Sequence, residues 1–197
     1  MPLVLLVGRM CSAALALSLT GTVAGFAATI NNSVDTAGTA SLGLQETNAA
    51  GSVTCATTAS AFSVTCATIN KFGGSMTMVP GVAVPTTVKL KNTGTATPST
   101  FTLTPGASCT QTTNGAINGG ATDLCAKMNI TIAQDSTTVF SGTLATLAGA
   151  SPITLSTANM SGGSISTFVF TVTLASTADD TYQGYQASLP ITWTLNS

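Results

Sequence analysis

The five cysteines are the residues of this 197-residue chain with the most definite chemistry. A thiolate is a nucleophile and a metal ligand, and two thiols in an oxidising space make a crosslink. Cys11 lies in a segment that reads as an export signal, which leaves Cys55, Cys66, Cys109 and Cys125 in the exported chain. An even number after export points to disulfides, and three connectivities are open. The local one, Cys55–Cys66 with Cys109–Cys125, is favoured because each pair brackets a short segment. "SVTC" at 52–55 recurs at 63–66, as if two strands of a hairpin were stapled. The second pair encloses the Gly/Asn-rich "TQTTNGAINGGATDL". No CxxC spacing supports a structural metal site.

Other chemistries find little support. The chain contains no histidine, so the usual general base, metal ligand and neutral-pH switch are missing. Serines are abundant, but a nucleophile needs an activating partner and none is recognisable. Asp179 and Asp180 offer hard oxygen ligands for Ca²⁺, yet no EF-hand spacing surrounds them, and a turn is the simpler expectation. Asp123 and Asp135 stand alone, without the partner carboxylate of a glycosidase. Trp193, Tyr182 and Tyr185 could stack a sugar, although Trp193 and Tyr185 fall on the apolar face of one strand and Tyr182 is freer. Lys71, Lys89, Lys91 and Lys127 are the only cations of the mature chain and could contact a wall polymer or a neighbouring subunit, but solvated strand faces account for Lys89 and Lys91. Asn31, Asn129 and Asn159 head N-x-S/T triplets that chance explains in so Ser/Thr-rich a chain. No enzyme activity, cofactor or metal is expected.

The elements that hold these residues read as β-structure. The chain is 44% hydrophobic and only 6% charged, against roughly a quarter charged in ordinary domains. Nothing basic stands out, so nucleic acid is excluded as a partner. Period-2 runs recur between turn signals. Val82, Val84, Val88 and Leu90 share one face of "VAVPTTVKLKN". Phe101 and Leu103, then Met128, Ile130 and Ile132, and then Phe168, Phe170, Val172 and Leu174 do the same in their own segments. "SGTLATLAGA" alone suggests a turn of helix. Many short strands with Gly/Pro-rich connections indicate an all-β antiparallel sandwich or jelly roll. The closing "YQASLPITWTLNS" alternates strictly, yet Pro190 on its wet side cannot donate a ladder hydrogen bond.

The amino terminus reads as a secretory signal over residues 1–24, with cleavage sites extending to 27. Arg9 is its one positive charge, and "CSAALALSLTGTVAG" is too short and too rich in Gly and Thr for a retained anchor. Without Arg9, four lysines face six acidic residues, a mature charge near −2. Residues 25–34 then form a strand-like arm, with Phe26, Ala28 and Ile30 alternating with Ala27, Thr29 and Asn31. Residues 35–197 form one domain.

"NNSVDTAGTASLGL", "VPGVAVPTTVKLKNTGT", "DLCAKMNITI", "FSGTLATLA" and above all "DDTYQGYQASLPITWTL" resemble the TasA/camelysin family of secreted bacterial proteins, in its high-GC Gram-positive form. The likeness runs along nearly the whole chain. It implies a jelly-roll subunit that is released by signal peptidase and polymerises into extracellular or biofilm-matrix filaments. The N-terminal arm of one copy would insert as a donor strand into the next, with Phe26, Ala28 and Ile30 filling pockets. The partners implied are copies of the chain itself, with a minor anchoring subunit. The metalloprotease activity suggested by the camelysin name has no support here, since HExxH is absent and Glu46 is the sole glutamate. Two other readings compete: a monomeric secreted binding module for carbohydrate or cell wall, and a chaperone-dependent pilin-like subunit. The C-terminal strand is expected to lie beside an unfilled position, with Pro190 limiting uncontrolled pairing.

Overall fold

A computed structural model describes residues 37–115 and 118–197. The expected signal at 1–24 and the arm at 25–34, with Phe26, Ala28 and Ile30, lie outside the described residues. The described chain is an antiparallel β-sandwich. Its strands are β1 (Leu44–Asn48), β2 (Thr54–Ala56), β3 (Ala83–Asn92), β4 (Thr100–Pro105), β5 (Thr110–Thr113), β6 (Met128–Gln134), β7 (Thr137–Thr143), β8 (Ile153–Thr154), β9 (Ile165–Leu174), β10 (Tyr185–Ser188) and β11 (Ile191–Asn196). Two single helical turns, α1 (Leu124–Lys127) and α2 (Leu144–Leu147), and a 3₁₀ turn at Asp180–Tyr182 complete it. Thr143 and Thr146 cap α2 reciprocally, in the segment where one helical turn is expected.

The large sheet runs β2-β1-β3-β9-β6-β7, and the smaller ones are β11-β4-β8 and β10-β5. β9 lies centrally and alternates without a break, so Ser166, Phe168, Phe170, Val172 and Leu174 are all buried. The alternation expected of β4 and β6 also holds: Phe101, Leu103, Met128, Ile130 and Ile132 are in the core. In β3 the buried set is Val88, Leu90 and Asn92, whereas Val82 precedes the strand and is exposed. Pro85 is tolerated because β1 pairs with β3 only from Val88 onward, leaving the proline with a neighbour on one side alone.

Aromatic side chains join the two layers. Trp193 of β11 sits 4.6 Å from Phe168, 6.0 Å from Phe101 and 6.1 Å from Phe170, centroid to centroid. Phe101 meets Phe168 edge-on at 5.8 Å. Such pairs add about 0.5–1.5 kcal/mol each beyond area burial.

Polar nodes lock the ends of strands. The Asn92 side chain is fully buried and donates to the carbonyls of Ala96 (2.7 Å) and Met160 (2.8 Å), while its oxygen accepts from Gly94 N–H (2.9 Å). Around this node Thr93 N–H donates to Gly43 O, and Thr95 and Ala96 N–H both donate to Ser41 O. A Cβ on Gly94 would run into the Ser41 carbonyl oxygen, so only glycine lets residues 41–43 lie this close. The node therefore fixes where the N-terminal side of the chain leaves the sheet. At the β6–β7 turn, Asp135 (φ 46°) and Ser136 (φ 75°) adopt left-handed backbone. The Asp135 carboxylate accepts from Thr167 N–H (2.7 Å), Ser166 Oγ (2.8 Å) and Asn159 Nδ2 (3.0 Å). Burial tends to raise its pKa, but these hydrogen bonds outweigh burial and hold it below the ordinary carboxylate value.

Two outcomes follow. Asn92→Ala orphans buried carbonyls and should lower stability by about 2–4 kcal/mol in urea unfolding. Because the folded pKa of Asp135 is depressed, its contribution is present above the unfolded value of about 3.9 and is lost as pH falls through the folded value. Asp135→Asn should therefore destabilise at neutral pH and flatten the acid limb of the stability curve, read by thermal melts from pH 2 to about 7.

Candidate docking groove

The two disulfides connect as the local reading expects, Cys55–Cys66 and Cys109–Cys125. Their surroundings differ from a stapled hairpin. Cys55 lies on β2, but Cys66 lies in irregular chain, so the second "SVTC" is not a strand. One SVTC has β1 beside it to complete its ladder, and the other has no such neighbour. Cys109–Cys125 ties β5 to α1, and the Gln111 side chain bridges the same loop by donating to Ala121 O and accepting from Leu124 N–H. Two disulfides suit an oxidising extracellular environment. Among the described residues no helix is long and apolar enough to cross a membrane.

The C-terminal stretch is split at Leu189–Pro190 into β10 and β11, and each strand is paired on one side only. β10 pairs with β5, and β11 pairs with β4. In an antiparallel ladder, backbone groups point alternately toward the partner and away from it. Gly106 N–H donates to Pro190 O and Asn114 N–H to Gly184 O, both at 2.8 Å. Even-numbered residues from 184 to 196 therefore face β4 and β5. The N–H and C=O groups of Tyr185, Ala187, Leu189, Ile191, Trp193 and Leu195 face the other way, and among the described residues no backbone group meets them.

This corrects the expected role of Pro190. Its missing N–H lies on the inner side, opposite Gly106, where the Gly106 carbonyl accepts from Gly149 N–H instead (2.9 Å). The proline does not blunt the outer edge. It interrupts the paired side and leaves the unpaired side intact.

That edge opens onto a cavity of ≈ 1510 Å³. The long connection between β2 and β3 also lines it, with Phe62, Val64, Met76 and Val79. Glu46 and Lys71 also line it. Glu46 points inward from β1 and is 6% exposed, and Lys71 Nζ sits 2.8 Å from its Oε1 and donates to its Oε2 at 3.2 Å. Two ions withdrawn from water together are tolerated only as a pair. Lys71 is thus committed to Glu46 and does not offer a free cation. Lys89 reaches the Ala49 carbonyl (3.2 Å), closing the β1–β2 turn.

The remaining candidates are structural. Trp193 and Tyr185 are partly buried against the core, and the Tyr185 hydroxyl donates to Gly119 O (2.7 Å). Tyr182 donates to Asp123 at 2.7 Å, and this bond pushes the phenol up to about 12. Asp179 accepts from the Thr181 hydroxyl and N–H, which cap the 3₁₀ turn and hold its carboxyl below the usual range. No group of three or more potential metal ligands occurs among the described residues. The Glu46–Lys71 pair, 25 residues apart, left no signal in any local pattern.

Lys71→Met would strand a buried carboxylate and should lower stability by about 3–5 kcal/mol in urea unfolding, with Glu46→Gln/Lys71→Met recovering most of the loss. No family model matches this chain, and no curated protein matches it.

Proposed function

We propose that this chain is the repeating subunit of an extracellular filament, joined head to tail when residues 25–34 of one copy add a strand to the next. The observation that carries the reading is the edge of residues 185–195, unpaired among the described residues and facing a cavity large enough for an extended segment. Unpaired N–H and C=O groups on a sheet edge are a template for β-augmentation. The arm suits that template in three ways: it alternates Phe26, Ala28 and Ile30 with smaller or polar residues, it has about the length of the edge, and it carries no charged side chain. A patch that accepts a different patch of the next copy generates an open filament, not a closed dimer. The TasA/camelysin resemblance points the same way.

The mature chain and a version lacking residues 25–34, both oxidised, should be compared by negative-stain electron microscopy and sedimentation. Filaments from the intact chain and monomers from the shortened one are the expected result. Monomers from both would overturn self-assembly and favour a monomeric binding module. Filaments from both would overturn the arm as donor.

A further inference from the structure

We infer that residues 57–82 form an apolar strap that closes over the inserted strand and supplies the second wall of its binding site. The inference rests on the donor-strand reading and commits to its occupant, residues 25–34 of a second copy.

Exposed apolar surface is concentrated on this one segment. Among the described residues six large hydrophobic side chains are exposed, and five belong to it: Phe62 (79%), Val64 (50%), Met76 (54%), Val79 (59%) and Val82 (53%). Scattered single exposures are ordinary, but a contiguous set marks an interaction surface. Four of the five line the cavity that the free edge of β10 and β11 faces.

The segment is attached at a few points and otherwise belongs to no sheet. Over residues 57–82 the only β-bridge is Thr58–Ala61, so most of its backbone belongs to no ladder. Gly73 and Gly74 have φ of 80° and 63°, a left-handed bend that most residues resist. Three fasteners hold the strap to the large sheet: the Cys55–Cys66 bond, buried Ile69, and the Lys71–Glu46 pair. The free edge belongs to the smaller sheets and lines the same cavity. An occupant would therefore take its backbone hydrogen bonds from 185–195 and its apolar cover from the strap.

Charge selects the same occupant. Lys71 is the single charged residue from 57 to 82, and it is committed to Glu46, so the strap presents a neutral apolar surface. Residues 25–34 likewise carry no charged side chain. An acidic peptide would bring its charges beside Asp179 and Asp180, which also line the cavity, with no uncommitted cation among the lining residues.

Two measurements test the strap. The first uses Phe62→Ser/Val64→Ser in the full mature chain. Both side chains are exposed, so the monomer should keep its fold, checked by emission of the sole tryptophan, Trp193. The critical concentration for filaments should rise by about tenfold or more. An unchanged critical concentration, with assembly still lost on deleting 25–34, would overturn the strap and leave the donor-strand reading standing. The second needs no substitution in the strap: amide hydrogen exchange of residues 57–82 should slow at least tenfold when the unaltered chain assembles. Exchange that is unchanged on assembly, or already slow in the unassembled chain lacking 25–34, would overturn it as well.

Discussion

The packing of Trp193 on Phe168, at 4.6 Å between centroids, holds the C-terminal strand where a second hydrogen-bonded neighbour ordinarily would. β11 has one ladder, to β4, and its other edge is bare among the described residues. A strand secured on one side only would fray unless its side chains were anchored. Here Phe101, Phe168 and Phe170 supply that anchor, so the backbone on the outer side is left free. Core packing and the available edge are thus two faces of one arrangement: side chains fix the strand and backbone groups remain for recognition.

Pro190 makes the same separation at the level of a single residue. A proline in the outward-facing register would have deleted a donor from the open edge. In the inward register it removes a donor that would have met Gly106, and Gly149 N–H takes over that carbonyl. The alternation of "YQASLPITWTLNS" shows that the proline lies on the wet face, but side-chain face and backbone edge are different directions. Only the partner's identity says which edge loses the N–H. That is why the sequence pattern located the proline and still pointed to the wrong consequence.

The strands were legible wherever burial is periodic. Phe168 to Leu174, Phe101 with Leu103, and Met128 to Ile132 declare their inward faces because a half-buried strand imposes period 2 on its residues. The disulfide partners were legible for a related reason, since each closes a short loop. The groove was not legible. Its polar element joins Glu46 to Lys71 across 25 residues, and much of its lining comes from a connection without regular structure. Neither leaves a period in the sequence. The low charge of 57–82 and its Phe, Val and Met content would have signalled a core strand, and the structure instead leaves those side chains outside.

That displacement bears on how a chain with only 6% charged residues stays dispersed before it assembles. Charge repulsion offers little protection at this composition. The large sheet ends in short or irregular edges: β2 has three residues, and the β6–β7 pairing shifts register at Ile132/Ala133. Such edges are poor templates for stray pairing. β8, at the other side of β4, has two residues. Among the described residues the free edge of β10 and β11 lines a cavity that the strap also lines. Recessing an edge admits a single extended chain and hinders the approach of a whole sheet, so specificity arises from access more than from charge. A filament subunit needs that asymmetry, because indiscriminate edge pairing would give aggregates in place of a directed polymer.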